Sequence, residues 1–228
     1  MLKNKTINLG VLKKVAHALG DLNQQVAYVG GATVSIYADD PAADDVRPTK
    51  DVDIILKIVS FGELTALQEK LGQKGIHPDP ESKVICRFKY DDVLIDVMST
   101  KEVGWAPSDP WFEPGFRALV TYELDEQTAI NIFPLAYFLA TKFSAFRDRG
   151  GDPRTSKDFE DIVSVLDNRL NVVNEIRHSP AEVYEFLKRE LRELLRDEMN
   201  EGLSSHLSPF AEEDRLVMLK EKIGSILK

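Results

Sequence analysis

Apolar residues recur at helical spacing between residues 9 and 20, where Leu9, Leu12, Val15, Ala16 and Leu19 share a face and Gly20 supplies a stop. The pattern then changes to a short apolar run, Val26-Ala27-Tyr28-Val29, which predicts a strand. Gly30-Gly31 follows at once, and Ala32 to Ala38 reads as a helix. Asp39 to Thr49 is polar and carries two prolines, so a loop is predicted there. Val52 to Ile58 is rich in strand formers, and Phe61 to Gly75 places Leu64, Leu67 and Leu71 on one helix face. Two further strands, Lys83–Tyr90 and Val93–Met98, are joined by Asp91-Asp92 as a two-residue hairpin turn. Residues 101–117 hold three prolines, two glycines and both tryptophans, which predicts a long loop. Ala118–Glu123 and Ala129–Phe133 read as one more strand pair.

From Pro134 onward the pattern is almost purely helical, in segments near 134–148, 156–168, 172–178, 181–200 and 211–227. A strand-rich half followed by a helical half predicts an α+β fold: a mixed-sheet head with flanking helices over 1–133 and a helical C-terminal domain over 134–228. The 228 residues are 43% hydrophobic, enough to bury a substantial core. A net charge of −9 disfavours extended nonspecific gripping of a nucleic-acid backbone. Met1-Leu2-Lys3-Asn4-Lys5 is followed by no apolar run, so neither a signal peptide nor a membrane span is expected. The lone cysteine, Cys86, cannot form an internal disulfide and fits a reducing cytoplasm; in Val84-Ile85-Cys86-Arg87-Phe88 it reads as a small buried hydrophobe on a strand.

The stretch that carries chemistry is Arg47-Pro48-Thr49-Lys50-Asp51-Val52-Asp53. Strand period two puts the carboxylates of Asp51 and Asp53 on the same face. Two like charges beside so much apolar sequence call for neutralisation, and carboxylate oxygens are natural ligands for Mg²⁺ or Mn²⁺. A solvated strand end is the plain alternative. Val93-Leu94-Ile95-Asp96-Val97-Met98 adds a third carboxylate in the middle of an apolar strand, a place where aspartate is rare unless paired or ligating. Three such acids on neighbouring strands make a two-metal site chemically sensible. Gly30-Gly31, between a strand and a helix, lets backbone N–H groups approach a phosphate, although taken alone the pair reads more simply as a plain strand-to-helix turn.

Taken in order, Val29-Gly30-Gly31-Ala32, an acidic loop, Arg47-x-Thr49-x-Asp51-x-Asp53 and Ile95-Asp96-Val97 closely resemble the polymerase-β-like nucleotidyltransferase pattern. That resemblance implies a small mixed sheet and a metal site of Asp51, Asp53 and Asp96. It also implies nucleotide contacts from Gly30, Gly31, Arg47 and Thr49. The implied reaction moves a nucleoside monophosphate from a nucleoside triphosphate to a hydroxyl, with release of pyrophosphate.

In the helical half, Leu135, Phe138, Leu139, Phe143 and Phe146 form an apolar stripe, and Lys142 falls inside it. A lysine there must snorkel, pair with an acid or meet a ligand. Downstream, Phe159, Ile162, Val163 and Leu166 face a core, Asp158 borders that face, and Asp161 points further away. Thr155-x-x-Asp158 also reads as a helix-start capping box. The pair Ala140-Thr141-Lys142-Phe143 and Lys157-Asp158-Phe159-Glu160-Asp161 resembles the AbiEii-type toxin nucleotidyltransferases. By that resemblance Lys142 contacts the triphosphate, Asp158 assists near the acceptor, and the chain acts as the toxin of a toxin–antitoxin pair. This chain has Gly-Gly and a full Asp-x-Asp where that group often has Gly-Ser and an altered second acid.

The acceptor stays open: tRNA or another RNA, a protein, or a small molecule. A catalytically retired fold that binds a nucleotide or a partner protein is the alternative, and a cationic antibiotic as acceptor would suit the acidic charge. His17, His77, His178 and His206 are scattered without metal-ligand spacing. Trp105 and Trp111 could stack a base, but packing the long loop down is the simpler expectation.

Overall fold

The computed structural model describes residues 3–228; Met1 and Leu2, part of the N-terminal stretch read above for a leader, lie outside the described residues. Seven strands form one sheet: β1 (Val26–Val29), β2 (Asp51–Leu56), β3 (His77–Pro78), β4 (Arg87–Tyr90), β5 (Val93–Ser99), β6 (Val120–Glu123) and β7 (Ala129–Ile132). Their order is β3-β4-β5-β2-β1-β7-β6. The β2–β5 and β1–β7 pairs are parallel and the others antiparallel, so the sheet is mixed and the fold is α+β.

The helices are α1 (Lys3–Leu19), α2 (Val34–Tyr37), α3 (Phe61–Gln73), α4 (Phe112–Arg117), α5 (Leu135–Arg149), α6 (Lys157–Asn168), α7 (Val172–Arg177), α8 (Ala181–Leu194), α9 (Asn200–Ser204) and α10 (Glu212–Leu227). The chain divides into two compact units, Met1–Thr33 with Arg47–Pro134, and Val34–Val46 with Leu135–Lys228. A single cut after Phe133 therefore misses one feature: residues 34–46 belong with the helical half. The reason lies in specific long-range pairs. Tyr37 stacks on Phe138 at 4.4 Å, and the N–H groups of Asp39 and Asp40 both donate to the carbonyl of Asn168. Arg169 adds a 2.8 Å ion pair to Asp39.

In the sheet unit, α1 buries Leu12, Val15, Ala16 and Leu19 as its spacing predicts, and it begins at Lys3, earlier than the apolar stripe. Ser60 caps α3, its hydroxyl accepting from the Glu63 N–H while the Glu63 carboxylate accepts from the Val59 N–H. Asp91 adopts a φ of +52° in the two-residue turn between β4 and β5, the left-handed backbone such a hairpin favours.

Several element readings change. Residues 83–86 are not strand: Val84 and Ile85 are exposed, Cys86 is buried, and pairing with β5 starts at Arg87. The long loop 101–117 contains α4 and is packed down: Trp111 and Phe112 are buried, Phe112 meets Phe133 edge-on at 6.5 Å, and Trp105 lies 5.2 Å from Phe88. Helix α8 stops at Leu194 instead of near 200, because its buried stripe of Val183, Leu187, Leu191 and Leu194 ends there and Arg196 turns to extended backbone. Among the described residues, no helix is long and apolar enough to cross a membrane.

Candidate functional site

The site in the sheet unit is assembled on β2 and β5. In the parallel register Asp53 stands opposite Asp96, and Asp51 lies two residues earlier on β2, opposite Leu94. Register partners in a sheet share a face, so all three carboxylates lie on one side. Val52 and Ile54, which alternate with them, are fully buried on the other side, as are Ile95 and Val97 beside Asp96. The acids themselves are half-buried.

Gly30 is placed by the same sheet. Val29, the last residue of β1, is the register partner of Asp53, so the chain turns directly beside that carboxylate. Gly30 has φ +75°, and a Cβ added there would overlap the Asp53 carboxyl group. Both facts demand glycine. The Thr33 N–H and hydroxyl both donate to the Gly30 carbonyl, at 3.2 and 2.9 Å, which closes the turn. The expected helix after Gly31 is a single 3-10 turn over Gly31–Thr33 followed by the four-residue α2. Such a short segment has little macrodipole to offer a phosphate, so the tight fit of Gly30 against Asp53 is the firmer feature of this corner.

A side chain absent from the sequence reading holds the approach to β2. Asn8 is fully buried on α1. Its amide Nδ2 donates to the Arg47 carbonyl at 3.0 Å, and its Oδ1 accepts from the Thr49 N–H at 3.0 Å. The Thr49 hydroxyl in turn accepts from the Asp51 N–H at 3.1 Å. Arg47 and Thr49 thus set the start of the acidic strand through their backbone and hydroxyl. The clue in the sequence was a polar residue one helical turn before Leu12, in phase with the buried stripe.

Arg87 is the second residue missed. It is the cross-strand partner of Asp96 in the β4–β5 register. Its Nε donates to Asp96 Oδ1 at 2.7 Å and its Nη2 to Asp96 Oδ2 at 2.8 Å, a two-pronged charge-assisted pair. The Asp96 carboxylate beside it holds the guanidinium pKa well above its ordinary value, and Asp51 and Asp53 push it the same way. Cys86, the preceding residue, has its thiol pushed up to about 11, chiefly by burial and then by Asp96.

A divalent cation is suited to this donor set in kind and in face: three carboxylates on adjacent strands, with Gly30 leaving room for no other side chain at Asp53. The spacing is not that of a closed ligand cage. Both oxygens of Asp96 accept from Arg87, and among the described residues no group of three or more His, Cys, Asp or Glu side chains is drawn together to hold a metal.

The helical unit holds its own charged cluster. Lys142 is buried on α5, with its ammonium 3.2 Å from Asp158 Oδ1 and 2.7 Å from Asp161 Oδ2. Arg149 reaches Asp158 Oδ2 at 2.5 Å. Of the three options open to a lysine in that stripe, pairing with acid is the one realised. Two expectations on α6 are corrected. Asp161 does not point away: it is 4% exposed, because α6 is covered over more of its circumference than one stripe. The N-cap is Ser156, whose hydroxyl accepts from the Phe159 N–H, so Thr155 and Asp158 form no capping box. Asp158 instead lines an open hollow with Arg149, Gly150, Thr155 and Lys157.

No protein-family model and no curated protein matches the chain. Among solved structures, it is similar to an antigenic nucleotidyltransferase-like protein from Paracoccidioides brasiliensis, at 18% identity and a TM-score of 0.49, over 90% of this chain and 96% of that one. It is also similar to the antibiotic-resistance factor ANT(2'')-Ia, at 14% identity and a TM-score of 0.49, over 83% of this chain and 93% of that one. Likenesses at this level carry no inference about the site, whose chemistry is read from the residues of this chain.

Proposed function

We propose that this chain is a metal-dependent nucleotidyltransferase, moving a nucleoside monophosphate from a nucleoside triphosphate to a hydroxyl. The observation that carries the reading is the shared face of Asp51, Asp53 and Asp96, with Gly30 packed against the middle acid. Asp51 and Asp53 are the residues that would hold Mg²⁺ or Mn²⁺, with Asp96 beside them. When bound, such a cation neutralises phosphate charge and lowers the pKa of an attacking hydroxyl. The chain's own part is positional. Asn8, through Arg47 and Thr49, fixes where Asp51 begins, and the Gly30 turn keeps the Asp53 carboxylate in one place.

The roles that resemblance gives to Lys142 at the triphosphate and Asp158 near the acceptor belong to this proposal, as does action as the toxin of a toxin–antitoxin pair on tRNA, another RNA, a protein or a small molecule. One observation favours a second reading, an inactive fold that binds a nucleotide or a partner: Asp96 is already engaged by Arg87. The experiment that separates them uses nucleoside triphosphates labelled at the α- or γ-phosphate, incubated with the protein, Mg²⁺ and a cell extract. Transfer of α-label without γ-label supports nucleotidyl transfer; binding without transfer supports the second reading.

A further inference from the structure

We propose that Arg87 is an internal counter-ion for Asp96 whose charge competes with a divalent cation, which makes it a positioning residue of the site. The inference rests on the metal-dependent reading above. Arg87, Asp96 and Asp53 form one row across β4, β5 and β2, since Arg87 pairs in register with Asp96 and Asp96 with Asp53. Within that row the guanidinium takes both oxygens of Asp96, and its side chain and that of Asp96 are only 21% and 15% exposed. The pair is therefore shielded from the solvent screening that makes surface ion pairs weak.

A fork of this kind does two things. It satisfies Asp96 while no metal is present, sparing the half-buried acids of β2 and β5 their full mutual repulsion. It also sets a fixed positive charge beside the place where Asp53 and Asp96 would hold a cation. Arginine stays protonated under all working conditions, so proton loss cannot release the acid. The fork uses one lone pair on each Asp96 oxygen, so a cation that reaches this acid meets the guanidinium's charge beside it. Arg87 lies at the start of β4, and its long side chain can move off Asp96 without breaking sheet register.

Manganese binding to the full chain tests this without reference to activity. Free Mn²⁺ is followed by electron paramagnetic resonance during titration of wild type, Arg87→Ala and Arg87→Lys. If Arg87 competes with the metal, Arg87→Ala binds Mn²⁺ about tenfold more tightly or better, the scale of one charge-assisted hydrogen bond. Arg87→Lys, which keeps the charge and loses the fork, falls between. Should Arg87→Ala fail to fold, Arg87→Gln carries the same expectation. Equal or weaker Mn²⁺ binding in the charge-removed variant overturns the proposal, as does absence of Mn²⁺ binding in all variants. Tightened binding without nucleotide transfer strikes the transferase reading alone; intact transfer with unchanged binding strikes Arg87 alone.

Discussion

Gly30 and Asp53 are in contact so close that no side chain fits between them: the first turns at φ +75°, and a Cβ there would overlap the carboxyl group of the second. Gly30→Ala therefore forces either the turn or the carboxylate to move. A non-glycine residue held in that backbone region costs about 1–3 kcal/mol. The variant is expected to be less stable than wild type by that amount and to lose most of its nucleotide transfer, because the Asp53 carboxylate no longer stands in place beside Asp96. Thermal unfolding and the labelled-nucleotide assay check both effects. Wild-type transfer in a folded Gly30→Ala protein would show that the placement of Asp53 is not needed.

Asn8 joins α1 to the start of β2 with two hydrogen bonds from one buried amide. Asn8→Leu leaves the Arg47 carbonyl and the Thr49 N–H without that partner, and since both residues are only half-buried the cost is at the low end for a stranded group, about 1 kcal/mol each. The expected result is a lower melting temperature together with weaker Mn²⁺ binding, since Asp51 is set by Thr49. A destabilised variant with unchanged Mn²⁺ affinity would reduce Asn8 to a packing residue.

Lys142 sits between two buried carboxylates. The helical phase alone suggests that Lys142→Met, keeping the stem and removing the charge, leaves the protein as stable or more so. The cluster reverses that expectation: Asp158 keeps Arg149, but Asp161 loses the cation at 2.7 Å. Breaking a buried pair from one side typically costs about 3–5 kcal/mol. Lys142→Met should melt well below wild type, and Lys142→Met with Asp161→Asn should recover part of the loss. Calorimetry on the two variants decides it; equal stability of Lys142→Met and wild type would mean the pair contributes nothing.

The features legible in the sequence are those governed by local period. Strand alternation places Asp51 and Asp53 together, and the apolar run around Asp96 marks a strand whose acid needs a partner. Helical spacing finds Leu64, Leu67 and Leu71 on α3 and the stripe of α5. What was not legible depends on which strand or helix lies alongside. Arg87 looks like any strand arginine until the β4–β5 register sets it opposite Asp96. Asp161 looks exposed until α6 is covered on more than one side, and the polar loop at residues 39–40 is tied to Asn168 and Arg169 across more than a hundred residues. Asn8 was hidden by its own polarity, although it lies in phase with Leu12 and Val15.

Metal-dependent nucleotidyl transfer is tested most directly by following α-phosphate label from a nucleoside triphosphate with wild type and with Asp53→Asn in the presence of Mg²⁺. Loss of one charged group at a phosphoryl-transfer centre typically lowers the rate by about 10²–10³. The prediction is that wild type moves the α-label to an acceptor and releases pyrophosphate, while Asp53→Asn stays folded and transfers at least a hundredfold more slowly by the same rule, about 2.7 kcal/mol. Equal transfer by the two proteins, or none by wild type with any of the four nucleotides, would contradict it.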